Sequence, residues 1–124
     1  MVLAVSATAF ACLDLAHKAT AETMHVHPRS AAYVAVVLGL ALLWSTAVLA
    51  TRSPLLSLAG GVVLGGALGN LVSLALWTGV PNPIEFPPIA FNLADAFVLL
   101  GFATTAAATL TFAVRNHERL REPL

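Results

Sequence analysis

Four long apolar stretches divide the chain: residues 2 to about 16, 31 to about 50, 55 to about 77, and about 92 to 114. An α-helix of about 20 apolar residues crosses the hydrocarbon core of a bilayer, so the pattern predicts an all-α membrane protein with four transmembrane helices. The first stretch is short for a span and reaches full length only by carrying Asp14, His17 and Lys18 into the membrane interface. Between the stretches lie a polar connection over residues 19–30, a tight turn at Thr51-Arg52-Ser53-Pro54, and a connection over residues 78–90 with prolines at 81, 83, 87 and 88. Proline fixes φ and removes a donor, so the last connection is expected to be a stiff, extended flap on the membrane surface.

Composition agrees with this reading. At 59% hydrophobic and 10% charged residues, the 124-residue chain holds more apolar surface than a soluble core of that size could hide. The length suits one domain spanning residues 1–124 and leaves no room for a soluble catalytic domain. A formal net charge of zero argues against a nucleic-acid partner, and Lys and Arg are too scattered to form a phosphate-tracking stripe. The single Cys12 excludes an internal disulfide. The first stretch lacks the basic start of a secretory signal and reads as a membrane helix. Arg52, Arg115, Arg119 and Arg121 fall on one side of a four-span chain and Lys18 and Arg29 on the other, which places both termini in the cytoplasm by the positive-inside rule. His117, Glu118 and Glu122 join these last arginines in a solvated tail.

Charge placement then points to chemistry. Asp95 is the one charged residue between Leu93 and Val114, and an ionisable group within lipid costs roughly 2.5–3.5 kcal/mol on insertion scales. Asn70, with Ser73 three residues later, is the polar feature of the third stretch. Gly61, Gly65 and Gly69 recur at spacing four in that stretch, a face that lets a second helix approach closely. Asp14 and Lys18 stand at i and i+4, within pairing reach, either as a neutralised pair at the membrane edge or as part of a site. With four spans, Asp14, Asn70, Ser73, Glu85 and Asp95 gather at one depth near the outer face, which predicts a polar pocket there. His25-Val26-His27 has no cysteine or carboxylate at ligand spacing and reads as solvated loop rather than a metal site.

Gly65-Gly66-Ala67-Leu68-Gly69-Asn70, followed by Phe91-Asn92-Leu93-Ala94-Asp95 and Gly101, resembles signal peptidase II, the lipoprotein signal peptidase. Asp14-Leu15-Ala16-His17-Lys18 is similar to the acid and lysine ending that family's first helix. The resemblance implies a multi-pass protein of a bacterial-type cytoplasmic (inner) membrane, with cytoplasmic termini and an extracytoplasmic cradle. It implies an aspartyl protease that needs no cofactor or metal and removes signal peptides of prolipoproteins before a lipid-modified cysteine. Substrate contacts are implied for Asp14, Lys18, Gly66, Gly69, Asn70, Phe86 and Asn92.

One catalytic aspartate of the family matches Asp95. The other falls on Ser73, and the arginine that follows it on Leu74. An Asn-x-Gly-Ala-x-Phe stretch expected after the first helix is absent from residues 22–33, and the first acid of the flap falls near Asn82. Glu85-Phe86 does match an acid-Phe pair of the flap. A serine hydroxyl cannot replace a carboxylate as general base near neutral pH, so the expectation is a groove that binds lipid-modified signal peptides with impaired cleavage. Two alternatives stand beside it. One is an active protease pairing Asp95 with Glu85 or Asp14; the other is a small structural membrane protein with Asp95 tied to Lys18 or Asn70.

Overall fold

A computed structural model describes residues 1–22 and 24–115. Of the expected tail, Arg115 instead ends the fourth helix, and the remainder, including Arg119 and Arg121 of the orientation count, lies outside the described residues. The helices are α1 (Val2–Thr20), α2 (Ala31–Ala50), α3 (Pro54–Trp77) and α4 (Leu93–Arg115). At 19, 20, 24 and 23 residues, all four are long and apolar enough to cross a membrane. Their rise of about 1.5 Å per residue matches the roughly 30 Å hydrocarbon core.

Local chemistry sets the helix ends. Ser30 and Ser53 cap α2 and α3, their side chains accepting from the backbone N–H groups of Tyr33 and Leu56, and Pro54 occupies the first turn of α3. Thr78 closes α3 in the left-handed region at φ 57°. Helix α1 runs to Thr20, further than the apolar stretch alone suggests, because Asp14 and Lys18 pair with each other inside the bundle.

The glycines of α3 make it the central helix. A side chain at Gly61 would strike Leu3 and Ser6, and one at Gly65 would meet Ala7 and Phe10, so this face lies directly on α1. Gly66 sits against Ala94 and Val98 of α4, and Gly60 against Val48 of α2. Such close approach replaces the hydrophobic driving force that helices lack in lipid. Contacts advance together along α1 and α3 but in opposite senses along α3 and α4. The C-terminal ends of α1 and α3 therefore meet the N-terminal end of α4.

Helix α2 packs mainly on α3. Its Trp44 donates an indole N–H to the Gly60 carbonyl at 3.3 Å and stands edge-on to Phe102 of α4, ring centroids 4.8 Å apart. Val36, Leu38, Leu42 and Leu49 are exposed along its outer surface, as suits contact with lipid acyl chains.

The two connections at the shared end carry short strands. Residues 19–30, expected as a solvated loop, contain β1 (His25–His27), which pairs antiparallel with β2 (Val80–Asn82). Two segments far apart in sequence supply each other's backbone partners here, a pairing that local propensity does not announce. In the proline-rich connection β3 (Ile84–Phe86) and β4 (Ile89–Phe91) form a hairpin turning at Pro87-Pro88, joined by a cis peptide bond. Val80 and Pro81 are buried, whereas Phe86 and Ile89 at the hairpin tip are exposed.

Candidate functional site

The site is assembled where α1 and α3 end and α4 begins. Lys18 is fully buried, and its ammonium donates to Asp14 Oδ2 at 2.6 Å, Asn70 Oδ1 at 2.8 Å and Ser73 Oγ at 2.9 Å. An ammonium has three protons, so every one is placed. The acceptors are equally committed. Asp14 Oδ1 accepts the Ala94 N–H at 2.8 Å, which caps the first turn of α4 with a carboxylate from α1. Ser73 donates its own proton to the Gly69 carbonyl at 2.6 Å.

Asn70 carries this network to Asp95. Its carbonyl oxygen faces the Lys18 ammonium, which fixes the amide so that Nδ2 donates to Asp95 Oδ1 at 3.1 Å. The second Asp95 oxygen accepts the Asn92 N–H at 3.3 Å, while Asn92 Oδ1 accepts the Asp95 N–H at 3.0 Å. This reciprocal pair is a capping box, with Asn92 as the cap and Asp95 three residues later. Asp95 thus helps start α4 as well as presenting a carboxylate.

Of the two acids in this cluster, Asp95 is the one that borders open space. With Asn70 it lies on a groove of about 790 Å³ between α2, α3 and α4, otherwise walled by residues such as Tyr33, Val37, Ala67, Val98 and Leu99. Trp44 and Phe102 line the same groove. The groove is therefore an apolar trough with one carboxylate and one amide.

The residues singled out by sequence separate into three groups. Asp14, Lys18, Asn70, Ser73, Asn92 and Asp95 come together in one hydrogen-bonded cluster. Gly66 and Gly69 are buried helix contacts, against Ala94 and Asp14 respectively, and neither borders the groove. Phe86 and Glu85 sit on the exposed hairpin, where the Glu85 carboxylate pairs with His25 Nδ1 at 2.9 Å. The proposed alternative partners of Asp95 are thus engaged elsewhere: Glu85 by His25, Asp14 by Lys18 and the Ala94 N–H. Of the two ties considered for Asp95, the direct one is to Asn70.

Two contributors, Asn82 and His27, were not assigned to the site from the sequence, although the resemblance puts the first acid of the flap near Asn82. Asn82 is buried, accepting from Asn92 Nδ2 at 2.6 Å, and it contacts His27 Nδ1 at 2.9 Å. Asn82 follows a proline in a loop sequence, and only the β1–β2 pairing brings it beneath α4. Among the described residues, no group of three or more His, Cys, Asp or Glu could hold a metal ion.

A family model described as signal peptidase (SPase) II matches residues 6–111. None of the curated proteins compared with the chain matches it. Among solved structures, a protein described as "Bacterial membrane enzyme structure by the in meso method at 1.9 A resolution" is similar, with a TM-score of 0.63 and 18% sequence identity. The match covers 86% of this chain and 90% of that one, a likeness of fold.

Proposed function

The chain belongs to the signal peptidase II family, and from that premise we propose that it binds lipid-modified signal peptides at the outer face of the bacterial cytoplasmic membrane with impaired cleavage. Both termini lie in the cytoplasm in this reading, and the strand-bearing end faces outward. The single observation that carries it is the company Asp95 keeps. It stands at the polar end of an apolar groove, bonded to Asn70 and Asn92 and, among the described residues, to no second carboxylate.

Peptide hydrolysis by an aspartyl dyad needs one carboxylate to take a proton from water while a second, kept protonated, donates to the substrate. Ser73 stands where the second is expected. Its hydroxyl is fully buried, accepts from Lys18 and donates to Gly69. Serine chemistry with Lys18 as base is not supported either, because the ammonium is ion-paired to Asp14 and a base must first lose its proton. What remains is recognition. The groove takes the apolar part of a signal peptide and its lipid, and Asp95 and Asn70 meet the polar backbone near the modified cysteine.

The test is cleavage of a diacylglyceryl-modified prolipoprotein by purified protein, with binding measured in parallel. Wild type is expected to bind without cutting, and Ser73→Asp to gain cleavage. Wild-type cleavage abolished by Asp95→Asn would overturn the impaired reading and require an unrecognised second acid. Absence of lipopeptide binding, together with lost folded yield in Asp95→Asn, would leave Asp95 a purely structural residue.

A further inference from the structure

We propose that His27 is a positioning residue: its neutral ring, acting through Asn82 and Asn92, holds the Asp95 end of α4 in place. The proposal rests on the reading above that Asp95 faces the bound peptide, and its spectroscopic test does not depend on that reading.

The chain of contacts has a direction fixed by backbone groups, whose donor and acceptor roles cannot change. Asp95 N–H is a donor, so the Asn92 oxygen must face it, at 3.0 Å. The Asn92 amide nitrogen then points the other way, donating to the Pro81 carbonyl at 3.2 Å and to Asn82 Oδ1 at 2.6 Å. Asn82 Nδ2 in turn donates to the Ala90 carbonyl at 3.3 Å and faces His27 Nδ1 at 2.9 Å. Both asparagines are thereby oriented independently of the histidine. An N–H meets His27 Nδ1, so that nitrogen must present a lone pair and the ring proton must sit on Nε2.

Protonation of His27 would set N–H against N–H. Asn82 cannot rotate its amide to relieve this without losing its bonds to Ala90 and Asn92 together. Asn82 and Asn92 are buried at 4% and 0% exposure, where an unmade hydrogen bond is expensive, while His27 is open to solvent and to protons. Charging the ring therefore pushes on Asn82, and the push reaches the Asp95 N–H through Asn92. On the elements around β1, the other ionisable groups are His25, paired with Glu85 of β3, and Arg29, stacked on the Tyr33 ring at 5.0 Å. Strands β2 and β4 and the last turn of α3 hold none; His17 and Lys18 close α1, Glu22 lies in the connection between α1 and β1, and Asp95 opens α4.

The experiment uses the full chain, isotopically labelled and in detergent micelles, with ring and amide nitrogen spectra followed between about pH 5 and 8, the window in which histidines change charge. Neutral His27 is expected in the Nε2–H tautomer. The Asn82 and Asn92 side-chain amides and the Asp95 backbone amide should titrate with its ring. His27→Gln, which keeps an acceptor but does not titrate, should abolish that shared titration, and His25→Gln should leave it. An Nδ1–H tautomer, or amide titration that survives His27→Gln, would overturn the proposal.

Binding of a synthetic diacylated signal-peptide analogue supplies the functional arm. It should weaken about five- to tenfold on acidification, the worth of roughly one hydrogen bond, and stay level in His27→Gln. Wild-type binding that ignores pH would refute the positioning role. No binding at any pH, with the shared titration intact, would instead refute the groove reading and leave the His27 coupling established.

Discussion

Lys18→Met tests whether the buried ammonium holds the site together. Methionine has similar length and no charge, so the change removes three hydrogen bonds, at 2.6, 2.8 and 2.9 Å, while keeping bulk. It leaves the Asp14 carboxylate buried with, among the described residues, only the Ala94 N–H as partner. Removing one member of a buried pair costs about 3–5 kcal/mol, mainly because the surviving charge stays unpaired. That is roughly a hundredfold to several-thousandfold in the ratio of folded to unfolded protein.

The companion variant Asp14→Asn/Lys18→Met removes both charges but keeps an oxygen for the Ala94 N–H. It should recover most of the loss, since a neutral pair pays no ionic desolvation. The measurement is reversible unfolding in mixed micelles for wild type, both single variants and the double. A loss below about 1 kcal/mol for Lys18→Met, the range of an exposed pair, would refute the argument. So would a double variant no more stable than Lys18→Met alone.

Gly65→Ala should destabilise by about 1–3 kcal/mol in the same unfolding measurement, because the new methyl would lie 2.6 Å from Phe10 Cβ and 2.9 Å from the Ala7 carbonyl, forcing α1 and α3 apart. Glu85→Gln should change stability by less than about 1 kcal/mol, since its pair with His25 is solvent-exposed, and should leave lipopeptide binding unaltered; loss of any cleavage in this variant would identify Glu85 as a working acid. Ser73→Asp should lower stability in the same measurement, because the new carboxylate is fully buried and must share an ammonium already paired with Asp14; stability equal to wild type would show that Lys18 can hold two carboxylates.

Apolar run length and breakers carry the four spans, because a helix in lipid must satisfy its own backbone and little else competes with that outcome. The glycine spacing in α3 likewise foretells close packing, since a residue without Cβ is informative wherever it recurs on one face. The cluster was legible in outline for a related reason: Asp14, Lys18, Asn70 and Asp95 are polar where polarity is costly, so each advertises a partner. Their order was not legible. Tertiary contact alone decides that Lys18 spends its three protons on Asp14, Asn70 and Ser73, and that Asn70 rather than Lys18 touches Asp95.

The strands mark the limit more sharply. His25, Val26 and His27 carry no local reason to be extended, and they become a strand because Val80, Pro81 and Asn82 arrive beside them from the far side of two helices. Asn82 thereby enters the site from a proline-rich segment, and Glu85 leaves it by pairing with His25. Solvation cost along the chain determined which residues must be buried together. Which acceptor each proton finds depends on distances and angles that only the packed helices and paired strands establish.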